Sequence, residues 1–220
     1  MKHLFHSILF CIIITFIACN NDDNKYDYGN FRMDFVTVLS SESGIRFLRD
    51  DGITLFSATN NANSEYLSAG NRIILRYIPK EKISPTEQFA DIQSISVVPK
   101  GDIVFTTKEQ AESFGNDPLY IISLWPGGGY LNLRYKIEEN NAHHQLVLFC
   151  IPENQISQDT LYLKLQHKAY SDNPGFLSKG YAAFSLEKIQ DIIQRVKAIK
   201  VDANISNLKQ QYFIFNTETL

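Results

Sequence analysis

The clearest structural signal in this chain is the alternating stretch Tyr130-Leu131-Asn132-Leu133-Arg134-Tyr135-Lys136-Ile137. From Leu131 onwards, every second residue is apolar, and the residues between them are polar. Successive side chains of a β-strand point to opposite faces, so this period of two predicts a strand with one face in a core and the other in water. An amphipathic helix would instead need apolar residues three and four positions apart.

Several other segments extend this pattern through the second half of the chain. Residues 160–166 alternate in the same way, and residues 145–151 are almost continuously apolar, which favours a central strand. Residues 186–192 predict a short helix or turn, followed by a strand. Further strands are predicted at 181–186 and 212–215. Strands that are linked by hairpins and have one solvent-exposed face favour an antiparallel β-sandwich over residues 118–220.

The first half predicts about five short strands over residues 31–106, interrupted by turn signals such as Asp50-Asp51-Gly52. This density of strands favours a small barrel or sandwich. Thr107 and Gln110 have the spacing of a capping box and predict a short helix from Lys108 to Phe114. We therefore expect a helical linker over residues 107–117 between two β-rich domains, giving an all-β chain.

Composition excludes several classes of protein. The 220 residues are 44% hydrophobic, which is too apolar for a disordered chain. The formal net charge is −3, without the basic surplus of a nucleic-acid binder, so no nucleic-acid partner is expected. Three cysteines are too few for a disulfide scaffold.

The N-terminal 18 residues predict a signal peptide and not part of the fold. An apolar run from Leu4 to Ala18 is shorter than the roughly 20 residues that span a bilayer. Its end, Phe16-Ile17-Ala18-Cys19, resembles a bacterial lipobox, with Phe16 in place of the commoner Leu. The resemblance implies that Cys19 is lipidated by diacylglycerol and a further chain such as palmitate. Two or three acyl chains anchor a protein stably to a membrane.

The residues after this cysteine predict a solvated acidic tether over residues 19–30. Its first part, Asn20, Asn21, Asp22 and Asp23, is similar to the surface-export signal of Bacteroidetes lipoproteins. A plain linker is the alternative interpretation. The expected location is the outer membrane, anchored by lipid, with the cell surface favoured over the periplasmic side.

Catalytic and metal-binding motifs are absent from the sequence. Adjacent residues such as His143 and His144 point to opposite faces of a strand, so one metal site would rarely use both. A lone His167 at a strand end is usually structural, and Cys150, in an apolar run, predicts a buried and unreactive thiol. A Cys/His dyad involving either histidine stays open. No catalytic residue, metal or cofactor is predicted, and we expect a protein that is not an enzyme.

The stretch Leu124-Trp125-Pro126-Gly127-Gly128-Gly129-Tyr130 contains the only tryptophan. One interpretation is a turn between two strands, with Trp125 packed beneath it or between the two halves. The other is an aromatic platform for a sugar or peptide, in which Trp125 and Tyr130 form a binding surface.

Taken together, these features resemble the NigD-like lipoproteins of Bacteroidetes. The resemblance is carried by Cys19 with its tether and by segments 26–31, 35–38, 48–56, 70–77, 115–119, 125–133 and 165–172. It covers almost the whole chain. It implies an N-terminal OB-like β-barrel and a C-terminal β-sandwich. The family is named after a bacteriocin-associated gene cluster and has no established catalytic residues, so only the lipobox cysteine is carried over.

Three functional hypotheses follow from the sequence. The first is a non-catalytic binding or scaffolding lipoprotein for a glycan or protein ligand. The second is a bacteriocin-associated accessory or immunity lipoprotein, and the third is an unrecognised hydrolase. The oligomeric state is not predicted.

Overall fold

The computed structural model describes residues 30–39, 44–57, 67–140, 142–155 and 157–219. The chain divides into two units, Met1–Phe31 and Arg32–Leu220. The predicted signal peptide, the lipidation residue Cys19 and the export signal from Asn20 to Asp23 lie outside the described residues. Within the described residues, no helix is both long and apolar enough to cross a membrane.

The described part of the second unit consists mainly of β-strands, so the predicted all-β class is confirmed. Two short helices, α1 (Lys108–Phe114) and α2 (Gln190–Ile193), accompany them, and short 3₁₀ segments lie at Pro152–Asn154, Glu187–Ile189 and Thr217–Thr219. The strands are β1 (Arg32–Leu39), β2 (Arg46–Arg49), β3 (Thr54–Ser57), β4 (Arg72–Ser84), β5 (Glu87–Val97), β6 (Lys100–Phe105), β7 (Tyr120–Gly127), β8 (Tyr130–Glu139), β9 (Gln145–Cys150), β10 (Thr160–Lys168), β11 (Phe176–Ser185), β12 (Ala198–Ala203) and β13 (Tyr212–Asn216).

The first five strands close into a barrel in the order β1-β2-β3-β5-β4. β1 pairs antiparallel with both β2 and β4, and β3 pairs parallel with β5, as in a five-stranded OB-type barrel. Alternation in β1 and β4 sends Val36 and Leu75 into the barrel core. The same alternation turns Phe35 and Ile74 outward, into a separate apolar cluster with residues of the second sheet.

The remaining strands form one eight-stranded sheet in the order β13-β12-β10-β9-β6-β11-β8-β7. Its two ends fold over a shared core that includes Leu131 and Leu133 of β8, Leu163 of β10 and Val201 of β12. The predicted apolar face of the alternating stretch is therefore the core face. This arrangement confirms a β-sandwich following a barrel.

The strand directions correct one part of the prediction. The pairings β10–β12, β6–β11 and β6–β9 are parallel, whereas an antiparallel sandwich was expected. Parallel neighbours need a long crossover, and here the segment from Glu187 to Ile193 contributes to the connection that leads into β12. Hydrophobic alternation is the same for either direction, so the pattern alone does not report it.

β6 lies near the predicted boundary between the two β-rich parts. It belongs to the second sheet, between β9 and β11, although the range 31–106 predicted for the barrel includes it. Its position follows from pairings with strands more than 40 residues further along the chain. Helix α1 follows β6, and its N-cap Thr107 and N3 residue Gln110 form the predicted capping box.

Candidate functional site

A cleft of about 290 Å³ opens where the barrel meets the sandwich. We call it the junction cleft. Its barrel side carries both acidic and basic groups, and its sandwich side carries Trp125 and Arg134. The lining residues are Met33, Asp34, Phe35, Arg49, Asp50, Asp51, Ile74, Trp125 and Arg134. The cleft thus combines aromatic surface with charged hydrogen-bonding groups of both signs.

The base of the cleft rests on an ion pair between a buried arginine and a partly buried aspartate. Arg72 of β4 is 1% exposed, and its Nη2 donates to both carboxylate oxygens of Asp50, at 2.6 and 2.7 Å. The same guanidinium donates to Asn132 Oδ1 of β8 at 3.0 Å and to Thr37 Oγ1 of β1 at 3.2 Å. Burial raises the pKa of the Asp50 carboxyl, and the hydrogen bonds from Arg72 oppose that rise. Arg72 therefore ties barrel strands to a sandwich strand.

Two aromatic rings and a glycine turn complete this ion pair. The Arg72 guanidinium lies 5.0 Å from the ring centre of Tyr130 and 5.6 Å from that of Phe35. Gly128 has φ +61°, and a Cβ there would collide with Asp50 and approach Arg72 Nη1 to 2.9 Å. Only glycine fits such a close approach in a left-handed conformation.

A second group of polar contacts lines the barrel wall of the cleft. Arg49 Nη2 lies 2.6 Å from Asp51 Oδ2, and Arg49 Nε lies 3.6 Å from Asp34 Oδ2. The Tyr77 hydroxyl donates to Asp34 Oδ2 at 2.7 Å. Burial, together with the neighbouring Asp34 carboxylate, raises the pKa of the Tyr77 hydroxyl. These contacts hold the carboxylates in fixed positions at the cleft.

Arg134 is the polar group of the cleft that its surroundings leave least satisfied. Its Nε is buried and has no hydrogen-bond partner among the described residues. A buried donor without a partner costs free energy, and such groups in native structures often mark a place for a water, an ion or a ligand. Because Arg134 also lines the junction cleft, its side chain is a candidate binding group there.

The structure places both predicted binding residues at this junction. Trp125 is half-buried and lines the cleft, and its ring meets that of Phe35 edge to face, with centres 5.0 Å apart. Tyr130 lies under the Arg72 guanidinium and is not part of the cleft lining. Packing between the two halves, one of the two interpretations of the sequence, describes the positions of both rings. Ligand binding by Trp125 and Tyr130 stays a prediction.

Comparison with protein families gives a match to the NigD-like C-terminal β-sandwich domain over residues 102–217. The matched segment is more than half of the chain. The chain belongs to the NigD-like family. A comparison with curated proteins gives no match.

Solved structures resemble this NigD-like chain over most of its length. A Bacteroides vulgatus protein of unknown function is 21% identical with a TM-score of 0.75, covering 84% of this chain and 90% of its own. A candidate lipoprotein of Bacteroides fragilis is 13% identical with a TM-score of 0.62, covering 84% and 95%. A NigD-like immunity protein of Bacteroides caccae is 20% identical with a TM-score of 0.61, covering 84% and 92%. Likeness at these identities shows a shared fold.

One polar cluster of this NigD-like protein was missed from the sequence. His144 and His167 lie with Nδ1 and Nε2 2.9 Å apart, and His144 Nε2 lies 3.2 Å from Asp172 Oδ2. His143 is exposed, so the two adjacent histidines do face different ways, as predicted. The register of β9 and β10 pairs Leu146 with His167, which brings His144 within diagonal reach. Pairing those two strands from sequence is the signal that could have found the cluster.

The remaining candidates for chemistry are the thiol of Cys150 and possible groups of metal ligands. Cys150 is a free, buried cysteine, as predicted, and burial raises the pKa of its thiol. A raised thiol pKa keeps little reactive thiolate at neutral pH. Across the described residues, no group of three or more histidine, cysteine or acidic side chains is placed to hold a metal ion.

Proposed function

We propose that this NigD-like chain is a lipid-anchored, non-catalytic binding protein that takes a glycan in the junction cleft. The observation that carries the proposal is the lining of the cleft, in which Trp125 and Arg134 of the sandwich face carboxylates of the barrel. Arg134 Nε has no hydrogen-bond partner among the described residues. Sugar rings offer hydroxyl groups to guanidinium and carboxylate groups and apolar C–H faces to aromatic rings.

Size and charge favour a small polar ligand over a protein surface. A cleft of about 290 Å³ is just below the usual range of small-molecule sites, which begins at about 300 Å³. The carboxylates and guanidinium groups around it are held by internal contacts, which lowers the entropy cost of ordering them on binding. A larger groove of about 590 Å³ is lined by Gly127–Gly129 and residues 193–197, and none of the described residues in its wall is aromatic.

Glycan binding is tested by comparing matched charge-removing variants on an array of bacterial and host polysaccharides, followed by titration of the strongest hit. Arg134→Gln is expected to weaken binding at least about tenfold, because it removes a charged donor from the cleft. Lys136→Gln changes the same charge on the same strand outside the cleft and is the control. Equal affinity of both variants and wild type would reject the junction cleft as the site.

Anchoring is part of the same proposal and rests on the lipobox at Cys19 and the acidic tether. A candidate lipoprotein among the structural neighbours supports it. Metabolic labelling with a palmitate analogue is expected to mark the wild type and Cys150→Ala, and to leave Cys19→Ala unmarked. Labelling of Cys19→Ala at the wild-type level would contradict lipidation at this residue.

Surface display, the finer part of the location, is tested separately. Protease added to whole cells is expected to digest the wild-type body and to spare an Asp22→Ala, Asp23→Ala variant retained on the periplasmic side. Equal digestion of both forms would show that these carboxylates are not an export signal.

A bacteriocin-associated accessory or immunity role is the second candidate, because a protein of the same fold is described as a NigD-like immunity protein. Deletion of the gene would then increase the sensitivity of the cell to a co-encoded toxin, and expression of the wild-type chain would restore resistance. Unchanged sensitivity to every bacteriocin encoded beside the gene would exclude this role.

A further inference from the structure

A continuous hydrogen-bonded chain of side chains lies under the loop between β10 and β11. His167 Nδ1 lies 3.2 Å from the Pro118 carbonyl oxygen, His167 Nε2 lies 2.9 Å from His144 Nδ1, and His144 Nε2 lies 3.2 Å from Asp172 Oδ2. The side chains of His144 and Asp172 are only 5% and 6% exposed. All four ring nitrogens therefore face a partner away from bulk water.

The loop at the end of this chain of contacts is held in a strained conformation. Tyr170 and Ser171 have φ values of +52° and +60°, which cost free energy for residues with a side chain. The carboxylate of Asp172 accepts from the Asn140 amide at 2.7 Å, and that of Asp117 accepts from the Ala169 amide at 2.7 Å. These contacts, together with the histidines, oppose relaxation of the loop.

The number of protons decides whether all three contacts of the histidine rings can be hydrogen bonds. Three hydrogen bonds need three protons, but two neutral imidazoles carry only two. With both rings neutral and Asp172 ionised, two acceptors must face each other at one of the three contacts: at Asp172, between the two rings, or at the Pro118 carbonyl. One additional proton satisfies every contact: His167 donates from Nδ1 to Pro118, and a doubly protonated His144 donates to His167 and Asp172.

Other charged and titratable groups surround the cluster. A cavity of about 420 Å³ beside it is lined by Asp117, Tyr120, Lys136 and Glu138 as well as by His167 and Asp172. Burial lowers the pKa of His167, and the neighbouring His144 lowers it further, while the Pro118 carbonyl and Asp117 oppose this effect. This direction favours a neutral His167 in the closed loop. The hydrogen-bond geometry then leaves the contact between His144 and Asp172 as the place that accommodates the additional proton.

We propose that residues 169–174 form a pH-controlled latch, closed when His144, His167 and Asp172 share one additional proton. In the open loop both imidazoles are solvated and become neutral above about pH 6.5, so closing takes up a proton and is lost progressively as pH rises. In more acidic solution both solvated rings are protonated, whereas two adjacent cationic rings do not fit the closed loop. The latch thus has an alkaline and an acidic limit, and opening it widens the cavity that Asp172 and Pro174 line.

Hydrogen exchange of the full chain tests the alkaline limit. The Asn140 amide reports directly, because it donates to Asp172. Its protection factor is expected to fall about tenfold or more between about pH 7 and about pH 9, since one proton changes an equilibrium by at most tenfold per pH unit. His144→Gln is expected to remove this pH dependence, and His143→Gln, which changes the exposed neighbouring ring, is expected to keep it. An unchanged protection factor in wild type would overturn the latch.

Nitrogen NMR of the wild-type imidazole rings keeps the proposal falsifiable if a variant fails to fold. At about pH 7 one ring is expected to carry protons on both nitrogens and the other on Nδ1 alone. Observation of two neutral buried rings at this pH would reject the shared proton. Neither measurement depends on glycan binding, so failure of the latch leaves the junction cleft untouched.

Discussion

Arg72 is the residue on which the attachment of barrel to sandwich depends most. It is fully buried, yet it is a cation, and its charge is balanced by Asp50 and by the carbonyl oxygen of the Asn132 side chain. Breaking a buried ion pair from one side leaves the other charge without a partner in a medium that solvates it poorly. Removing one member of the pair should therefore be costly, whereas replacing both should change the free energy of folding much less.

Arg72→Met is expected to lower the free energy of unfolding by about 2 to 4 kcal/mol, measured by urea denaturation. This is less than for a fully buried pair, because the Asp50 side chain is 25% exposed. Arg76→Met changes an exposed arginine of the same strand and is expected to cost less than about 1 kcal/mol. The double variant Arg72→Met, Asp50→Leu is expected to recover most of the loss, because it removes both charges. A double variant no more stable than Arg72→Met alone would argue against an unpaired Asp50 as the cause.

The turn at Gly128 and Gly129 provides a second test of this packing. Both glycines have positive φ, at +61° and +81°, so Ala carries a backbone cost of about 1 to 2 kcal/mol at either position. At Gly128 the new methyl would also displace Asp50, whereas at Gly129 it meets nothing within 4 Å. Gly128→Ala is expected to exceed Gly129→Ala in destabilisation by at least about 1 kcal/mol in the same assay. Equal losses would show that Asp50 moves aside without cost.

At the scale of single residues, the sequence predicted the features that depend only on residues close by in the chain. The capping box at Thr107 and the burial of Cys150 follow from local pattern, and both are present. The pairing of Arg72 with Asp50 and Asn132 could not be predicted, because it joins residues 22 and 60 positions apart. In the sequence Arg72 stands next to the apolar run Ile73–Leu75, and nothing in that pattern names its partners.

Among the strands, β7 lies at one edge of the eight-stranded sheet. The side chain of Asn207 forms hydrogen bonds with the backbone of this strand. Ile121 donates to Asn207 Oδ1 and accepts from Asn207 Nδ2, both at 2.9 Å. The Asn207 amide thus occupies hydrogen-bonding positions that another strand could use. Unpaired strand edges favour association with other chains.

Asn207→Ala is expected to lower the free energy of unfolding by about 1 to 3 kcal/mol and to promote self-association, because Ile121 loses both partners. Asn207→Asp keeps the acceptor for the Ile121 amide and is expected to have an intermediate effect. Light scattering of concentrated samples together with urea denaturation checks both expectations. A destabilised Asn207→Ala that stays at the mass of wild type would limit Asn207 to a structural role.

Strand existence was predictable in this chain, and strand direction was not. The alternation at residues 131–137 places Leu131 and Leu133 in the core as expected. The parallel position of β6 depends instead on contacts with β9 and β11, which lie far along the chain. The diagonal approach of His144 to His167 depends on the register of the antiparallel pairing between β9 and β10. Of the candidate site, the sequence pointed only to Trp125, because it stands in the distinctive stretch from Leu124 to Tyr130.

For the molecule as a whole, the contacts at the junction predict coupled unfolding of barrel and sandwich. Phe35 and Ile74 from the barrel share an apolar cluster with Val98 and Ala183, and Arg72 adds polar contacts from the same side. A cleft lined by both halves keeps its geometry only while they stay together. Binding in the junction cleft therefore requires that the barrel and the sandwich stay rigidly attached to each other.

The single tryptophan makes this coupling measurable. Trp125 packs against Phe35 across the junction, so its fluorescence reports the junction, whereas far-ultraviolet circular dichroism reports all strands. In urea the two signals of the wild type are expected to change at the same concentration, as in a two-state transition. In Arg72→Met the fluorescence change is expected to come first, because the junction loses its ion pair while both cores are kept. Coincident transitions in Arg72→Met would mean that the apolar cluster alone couples the two halves, and separate transitions in wild type would mean that the junction does not couple them at all.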